Sequence, residues 1–433
     1  MYQFFLYGES CLKINLLASS HQWDLSNTYF QFRNNIFILR ISCPDVSRTK
    51  VSAFVAVLIA VLMISFIPSS ISDDSSASHP IVVTDGLGRE HVFEQIPDRI
   101  VTIGTGLTAT AIELDLLDRM IVCDRYSVMD DHSIFNGLRM KVDNERVLAS
   151  GSAYSTGLES VKVDIWRMTE DLYLEKGVDV KGVDRLDVDD IAIFITGTPT
   201  NINQLYEDLS DSKLSYKHIL CWDTIDSYDD LIEMVRTMSL VMKGEVDPHV
   251  DEMESIVDYI DTILSGNPGV NRREAFYVTY SGGELKVGNF GSLANSMIGA
   301  AGGISITNDA SMSKTYAANI PKLIEDHGTD VVIFVDDVLA SNESSMDTLR
   351  KSLGGQDVKL VRLDPLWNNY CIESMDGVWA MACAMYSDAY PDVFVGDVPV
   401  MSNDYDDDVV LFAVAGILGA VMIAVLAYLY FRS

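Results

Sequence analysis

Asp247 to Gly266 reads DPHVDEMESIVDYIDTILSG, and this stretch decides how the rest of the chain is organised. Asp247 suits a helix N-cap, Pro248 the first turn and Gly266 the stop. Val250, Met253, Val257, Ile260 and Leu264 recur at spacings of 3, 4, 3 and 4, which makes one apolar stripe. About 17 residues rising ~1.5 Å each form a rod roughly 25 Å long. The spacing predicts a stiff connector between two bodies, one on either side.

Both flanks alternate short β-branched runs with helical stretches, the pattern of parallel sheets covered by helices. Before the rod the strand candidates are Arg99–Gly104, Met120–Asp124, Ile191–Thr196 and His218–Trp222. After it they are Ala275–Tyr280, Ile304–Thr307, Val331–Val335 and Lys359–Leu363. Near-continuous apolar character fits strands buried on both faces. The flanks also echo each other: DIAIFITGTPTNINQLYEDLS from Asp190 and DVVIFVDDVLASNESSMDTLR from Asp330 each run from Asp through a strand and an Asn-bearing loop to a helix ending on Leu209 or Leu349. The expected fold class is α/β, with two parallel-sheet lobes joined by one long helix around a shared cleft.

The 433 residues include 31 Lys+Arg and 63 Asp+Glu, a formal charge of −32. An apolar content of 48% excludes a disordered acidic polymer. The sign of the charge argues against nucleic acid, which needs clustered Lys and Arg. Residues 1–78 hold five basic and five acidic side chains and 408–433 one of each, so 25 basic and 57 acidic fall on residues 79–407. The ends read as membrane signals. Val409 to Phe431 is 23 residues without a charge, followed by Arg432, and predicts a C-terminal transmembrane helix with the acidic body outside. Val51 to Ile67 follows Arg48 and Lys50 and stops at Pro68, the pattern of an export signal or an uncleaved anchor. Residues 1–45 show no sustained period and predict no fold; an over-long start, with translation beginning near Val46, is the expected reason, and a cytoplasmic tail is the alternative. The expected order is thus 1–45 extension, 46–78 signal and linker, 79–246 first lobe, 247–266 connecting helix, 267–394 second lobe, 395–408 acidic stalk and 409–431 membrane helix.

Several stretches carry a family resemblance. IVVTDGLGREHVFEQIPDRIVTIGTGLTATAIELDLLDRMIVCDRYS, DSYDDLIEMVRTMSLVMKGE, SGGELKVGNFGSLANSMIGAAGGISI and DAYPDVF occur in that order between Ile81 and Phe394. Together they resemble the substrate-binding proteins of ABC importers for iron–siderophore, haem and vitamin B12. The resemblance implies reversible cleft binding without catalysis, and an importer permease and ATPase as partners. Docking in that family uses one surface carboxylate per lobe; the second-lobe position holds Pro321, with Glu325 a turn later, and no first-lobe residue aligns. Residues 128–189 depart from the family pattern.

In open α/β sheets ligands bind beyond the carboxyl ends of the strands. That rule selects Gly106 (within Gly104-Thr105-Gly106), Tyr126, Thr198 and Trp222 from the first lobe, and Asn289, Phe290, Asn308 and Trp367 from the second. The aromatic members offer flat area to a corrin, porphyrin or catecholate. Arg125 and Arg362 suit a carboxylate or hydroxamate. Asp130-Asp131-His132 reads as an acidic turn, and no histidines group in a metal-binding pattern, so neither a metal site nor a resident cofactor is expected. Cys123 and Cys221 should sit three strand spacings apart, beyond disulfide reach, and Cys371 and Cys383 at opposite ends of one helix.

The expected function is a membrane-tethered, extracytoplasmic binding protein that presents an iron chelate, haem or corrinoid to an importer, on a cell surface of archaeal type. A surface adhesion or sensor protein that keeps the fold without transport is the alternative. An exported enzyme finds no support in any Gly-x-Ser-x-Gly elbow, zinc-type His cluster or phosphate loop.

Overall fold

A computed structural model describes residues 80–396, except 155–157, 224, 268 and 365, together with the backbone of four strands within residues 1–39. The chain divides into two units, Met1–Ala77 and Ser78–Ser433. In the first, β1 (Tyr2–Phe5), β2 (Lys13–Leu16), β3 (Thr28–Phe32) and β4 (Asn35–Leu39) form an antiparallel meander in sequence order. Strands therefore occur where the sequence predicted no fold.

The second unit opens with a hairpin of β5 (Ile81–Thr84) and β6 (Glu90–Phe93). Asp85 ties it to the body. Its carboxylate accepts hydrogen bonds from Arg89 Nε (2.9 Å) and Nη2 (2.7 Å) and from the Cys221 amide (3.1 Å). Burial alone would raise this carboxyl, but the His91 ring, with Nε2 at 3.5 Å, and the hydrogen bonds from Arg89 hold it at about 2.

The first-lobe sheet contains β7 (Arg99–Ile103), β8 (Met120–Asp124), β9 (Leu148–Ser150), β10 (Leu186–Thr196) and β11 (Leu214–Trp222). Its order is β11-β10-β7-β8-β9, and every pairing is parallel. Cys221 and Cys123 stand on β11 and β8, three strands apart, and all four described cysteines are free thiols. Crossover helices are α1 (Thr105–Glu113), α2 (Arg125–Met129), α3 (Asn136–Asp143), α4 (Leu158–Glu175) and α5 (Pro199–Ser210). The departing segment 128–189 thus supplies an edge strand and two helices. Val161, Ile165 and Leu172 of α4 bury one face on the sheet.

After α6 (Tyr228–Lys243) comes the connector α7 (Pro248–Ser265). Asp247 caps it by accepting the His249 amide at 3.1 Å, and Gly266 ends it. The buried stripe is Val250, Met253, Ile256, Ile260 and Leu264. Ile256 replaces the expected Val257, which is only half-buried, because at about 100° per residue both flank the same helix face.

The second lobe is not purely parallel. Strands β12 (Glu274–Ser281), β14 (Ile304–Ser305), β16 (Val332–Val335) and β17 (Lys359–Arg362) pair in parallel, whereas β13 (Glu284–Gly288) and β15 (Thr315–Tyr316) join antiparallel. The β12–β13 turn is Gly282-Gly283, both at positive φ (67° and 85°), the backbone of a two-residue hairpin. Helices α8 (Leu293–Ala300), α9 (Ile320–His327), α10 (Asp337–Ser341), α11 (Glu343–Ser352) and α12 (Ser374–Tyr386) cover the sheet. The internal echo survives with one change. Leu209 and Leu349 are both fully buried, but the first copy has the single helix α5 where the second has α10 and then α11, capped by Asp336 and Asn342.

Two apolar clusters line the outer faces of the two sheets. A third runs continuously from the first lobe through α6, α7, α8 and α12 into the second. Burial shared in this way resists separation of the lobes. No described helix is long and apolar enough to cross a membrane. Val51–Ile67 and Val409–Phe431 lie outside the described residues.

Candidate functional site

β7 ends at Ile103, and Gly104 turns the chain into α1 with φ 144°, a conformation that strains any other residue. A Cβ there would also lie 2.1 Å from Thr196 Oγ1. Gly104 offers no side-chain cap to the first amides of α1. Gly106 sits closer still to the other lobe. A Cβ on it would fall 1.8 Å from the Asn369 carbonyl oxygen and 2.6 Å from that of Tyr370. The second-lobe loop therefore rests directly on the start of α1.

Beneath this contact lies Asp124, 1% exposed at the end of β8. It accepts hydrogen bonds from the amides of Tyr126 (2.9 Å) and Ser127 (3.3 Å) and from the hydroxyl of Ser127 (2.7 Å). Thr105 and Thr108 donate to it at 3.4 Å each. One carboxylate thus orients the starts of α1 and α2. Its burial raises its pKa, and the surrounding donors from Ser127, Tyr126 and Gly104 oppose the rise. Asp124→Asn would turn an amide N–H₂ toward those donors. It should lower stability by about 1–3 kcal/mol, read as a shift in the urea midpoint; an unchanged midpoint would show that the carboxylate does not hold these helices.

Above the strand ends a cavity of about 460 Å³ is lined by Gly104, Thr105, Gly106, Tyr126, Ser152, Tyr154 and Thr196 of the first lobe. Asn368, Asn369 and Tyr370 close it from the second. Tyr370 holds a positive φ of 55°, uncommon for a non-glycine residue and characteristic of positions held by their surroundings. Burial raises the Tyr154 phenol above its ordinary range, with a hydrogen bond to Thr196 opposing, and burial pushes the Tyr370 phenol up to about 12.

The strand-end rule found part of this wall. Gly106 and Tyr126 line the cavity, and Arg125 lies beside Tyr126, its guanidinium 5.2 Å from the ring centroid. Trp367 adjoins the wall residues Asn368 and Asn369 and packs over Gly377. The other selections stand elsewhere. Thr198 caps α5, accepting the Asn201 amide at 3.4 Å, and Thr196 faces the cavity in its place. Trp222 is 5% exposed in the core, stacked on Phe194 and pressed against Gly86. Asn289 is fully buried and binds its own loop, donating to the carbonyls of Asp309 (2.7 Å) and Ser313 (3.0 Å). Phe290 is 58% exposed and does not line the cavity. Arg362 is also exposed and donates to Asp337 and Ser341 of α10. Ser152, Tyr154 and the Asn368–Tyr370 turn were missed. The first two lie in the segment 128–189, which departs from the resemblance, and the only local signal for the turn was its place just after Trp367.

Further contacts join the lobes around the cavity. The Ile372 amide donates to Glu113 Oε2 at 3.2 Å, the Tyr228 amide donates to Ser296 Oγ at 2.9 Å, and Lys314 pairs with Asp226. His132 Nε2 lies 3.9 Å from both Asp364 Oδ1 and Glu373 Oε2.

Among solved structures the chain is similar to Helicobacter pylori CeuE in complex with Ni-His, at 15% identity and a TM-score of 0.49 over 72% of this chain and 91% of that one. It is similar to the periplasmic vitamin B12 binding protein BtuF of Vibrio cholerae, at 14% and 0.45 over 67% and 97%. A periplasmic heme binding protein from Pseudomonas aeruginosa matches at 16% and 0.46 over 71% and 100%. The likeness is of fold alone. No protein-family model and no curated protein matches the sequence.

Proposed function

We propose that the chain is an extracytoplasmic binding protein of an ABC importer, tethered by Val409–Phe431, that holds a metal chelate or tetrapyrrole between its lobes. The observation that carries this reading is the cavity of about 460 Å³ at the carboxyl ends of the first-lobe strands, closed by a second-lobe loop. Sites for small molecules span roughly 300–1,000 Å³ and favour such strand-end crevices. Tyr126, Tyr154 and Tyr370 supply flat faces with polar tips, and the uncapped start of α1 favours an anionic group. Binding needs no bond-breaking machinery. The ligand would desolvate against the tyrosines and accept hydrogen bonds from the first amides of α1.

The test is spectroscopic and thermal-shift titration of the full chain with ferric catecholates, ferric hydroxamates, haemin and a corrinoid. One class should bind at micromolar concentration or below, and Tyr126→Ala should weaken it by about tenfold. Binding of none of them, or binding untouched by Tyr126→Ala, would overturn the reading in favour of an adhesion or sensor protein.

A further inference from the structure

His132 stands just after Asp130-Asp131 in the first lobe, at the start of a short 3₁₀ turn formed by Ser133–Phe135. Asp364 follows β17, and Glu373 precedes α12, both in the second lobe. One potential ligand atom from each lies within 4.8 Å of the other two. The 3.9 Å His132–carboxylate separations are too long for hydrogen bonds. Three atoms bound to one divalent ion at ~2.0–2.2 Å stand roughly 3–3.6 Å apart, so the 3.9 Å His132–carboxylate separations must shorten by roughly 0.3–0.9 Å, and the two carboxylate oxygens, within 4.8 Å of each other, by up to roughly 1.8 Å.

The charge balance points the same way. Glu113 of α1 reaches into the same junction through the Ile372 amide. Among the described residues, no lysine or arginine nitrogen lies within ion-pair distance of Glu113, Asp364 or Glu373. Asp364 and Glu373 are the charged members, and among the described residues only the His132 ring comes within ion-pair distance of them, so a bound cation would pair both. The backbone of His132 is fixed. Its amide donates to Asp130 at 2.8 Å, and its carbonyl accepts from Arg139 at 3.2 Å. The ring's other nitrogen, Nδ1, meets the Ile134 amide only at 3.5 Å, the outer limit of a hydrogen bond. A metal on Nε2 leaves the proton on Nδ1 and releases that weak contact.

We infer that His132, Asp364 and Glu373 form a divalent-cation site that clasps the two lobes beside the cavity. The donor set of one imidazole and two carboxylates suits zinc, cobalt, nickel or manganese. The clasp would pin both ends of the loop that carries Asn368, Asn369 and Tyr370. It does not depend on what the cavity holds.

Cobalt(II) is the probe, because its visible bands report nitrogen and oxygen ligation directly. The full chain, stripped with chelator, should take up one equivalent of Co²⁺, displaced by Zn²⁺, and melt at higher temperature when loaded. His132→Gln and Glu373→Gln should each weaken uptake by more than about tenfold and abolish the thermal shift, while His327→Gln leaves both unchanged. Near-UV dichroism of each metal-free variant checks its fold, and should either variant fail to fold the other decides. No saturable uptake at millimolar Co²⁺, or uptake that survives both substitutions, would overturn the site.

Discussion

Gly106→Ala should disrupt the closed junction between the lobes. The added methyl would meet the Asn369 carbonyl at 1.8 Å and the Tyr370 carbonyl at 2.6 Å, both backbone atoms that no side-chain rotation can clear. Either α1 or the 366–372 loop must move. Overpacking of this kind costs about 1–3 kcal/mol, and it should also expose the loop to proteolysis. Gly299→Ala is the control. Gly299 lies inside α8 with nothing within 4 Å of where the added methyl would sit, so alanine there should be neutral or stabilising by up to about 1 kcal/mol. Urea unfolding and limited proteolysis of both variants check the pair. Equal stability and equal cleavage would show that the lobes do not meet at Gly106.

Glu113→Gln should change how stability depends on pH. Burial pushes this carboxyl up to about 8 from an ordinary 4.5, and the Glu373 charge beside it adds to the rise. The folded protein therefore keeps a proton that the unfolded chain releases above pH 4.5. Stability from this group is complete below pH 4.5 and is lost as the pH rises to about 8. The loss has an upper bound of about 5 kcal/mol. Glutamine keeps an acceptor for the Ile372 amide and does not ionise. The variant should be close to wild type at pH 5 and clearly more stable at pH 8, in urea unfolding with chelator present. Parallel pH profiles would show that Glu113 is not held protonated.

Legibility in the sequence followed the range of the forces involved. Arg99–Ile103, Met120–Asp124 and the connector with its Asp247 cap were readable because apolar runs, helical stripes and caps act within a few residues. The β13 strand was missed although Ser281-Gly282-Gly283-Glu284 marks its turn, because its flanks lack a continuous apolar run. The strand-end rule located the end of β7 correctly and so found Gly106. It could not tell that Trp222, at the end of β11, turns into the core, since strand facing depends on what packs there. Asn289 and Arg362 were drawn away by nearer partners, the 309–313 loop and α10.

The sequence alone determined two α/β bodies, the helix between them, the acidic charge they carry and the strand ends that border the cavity. Each follows from periodicity and composition within short windows. Only the tertiary structure decided which side chains meet there. Tyr154 and Tyr370 are 216 positions apart, and His132 and Glu373 are 241 apart. Such pairs are joined by packing across the lobes, which leaves no periodic trace in either segment.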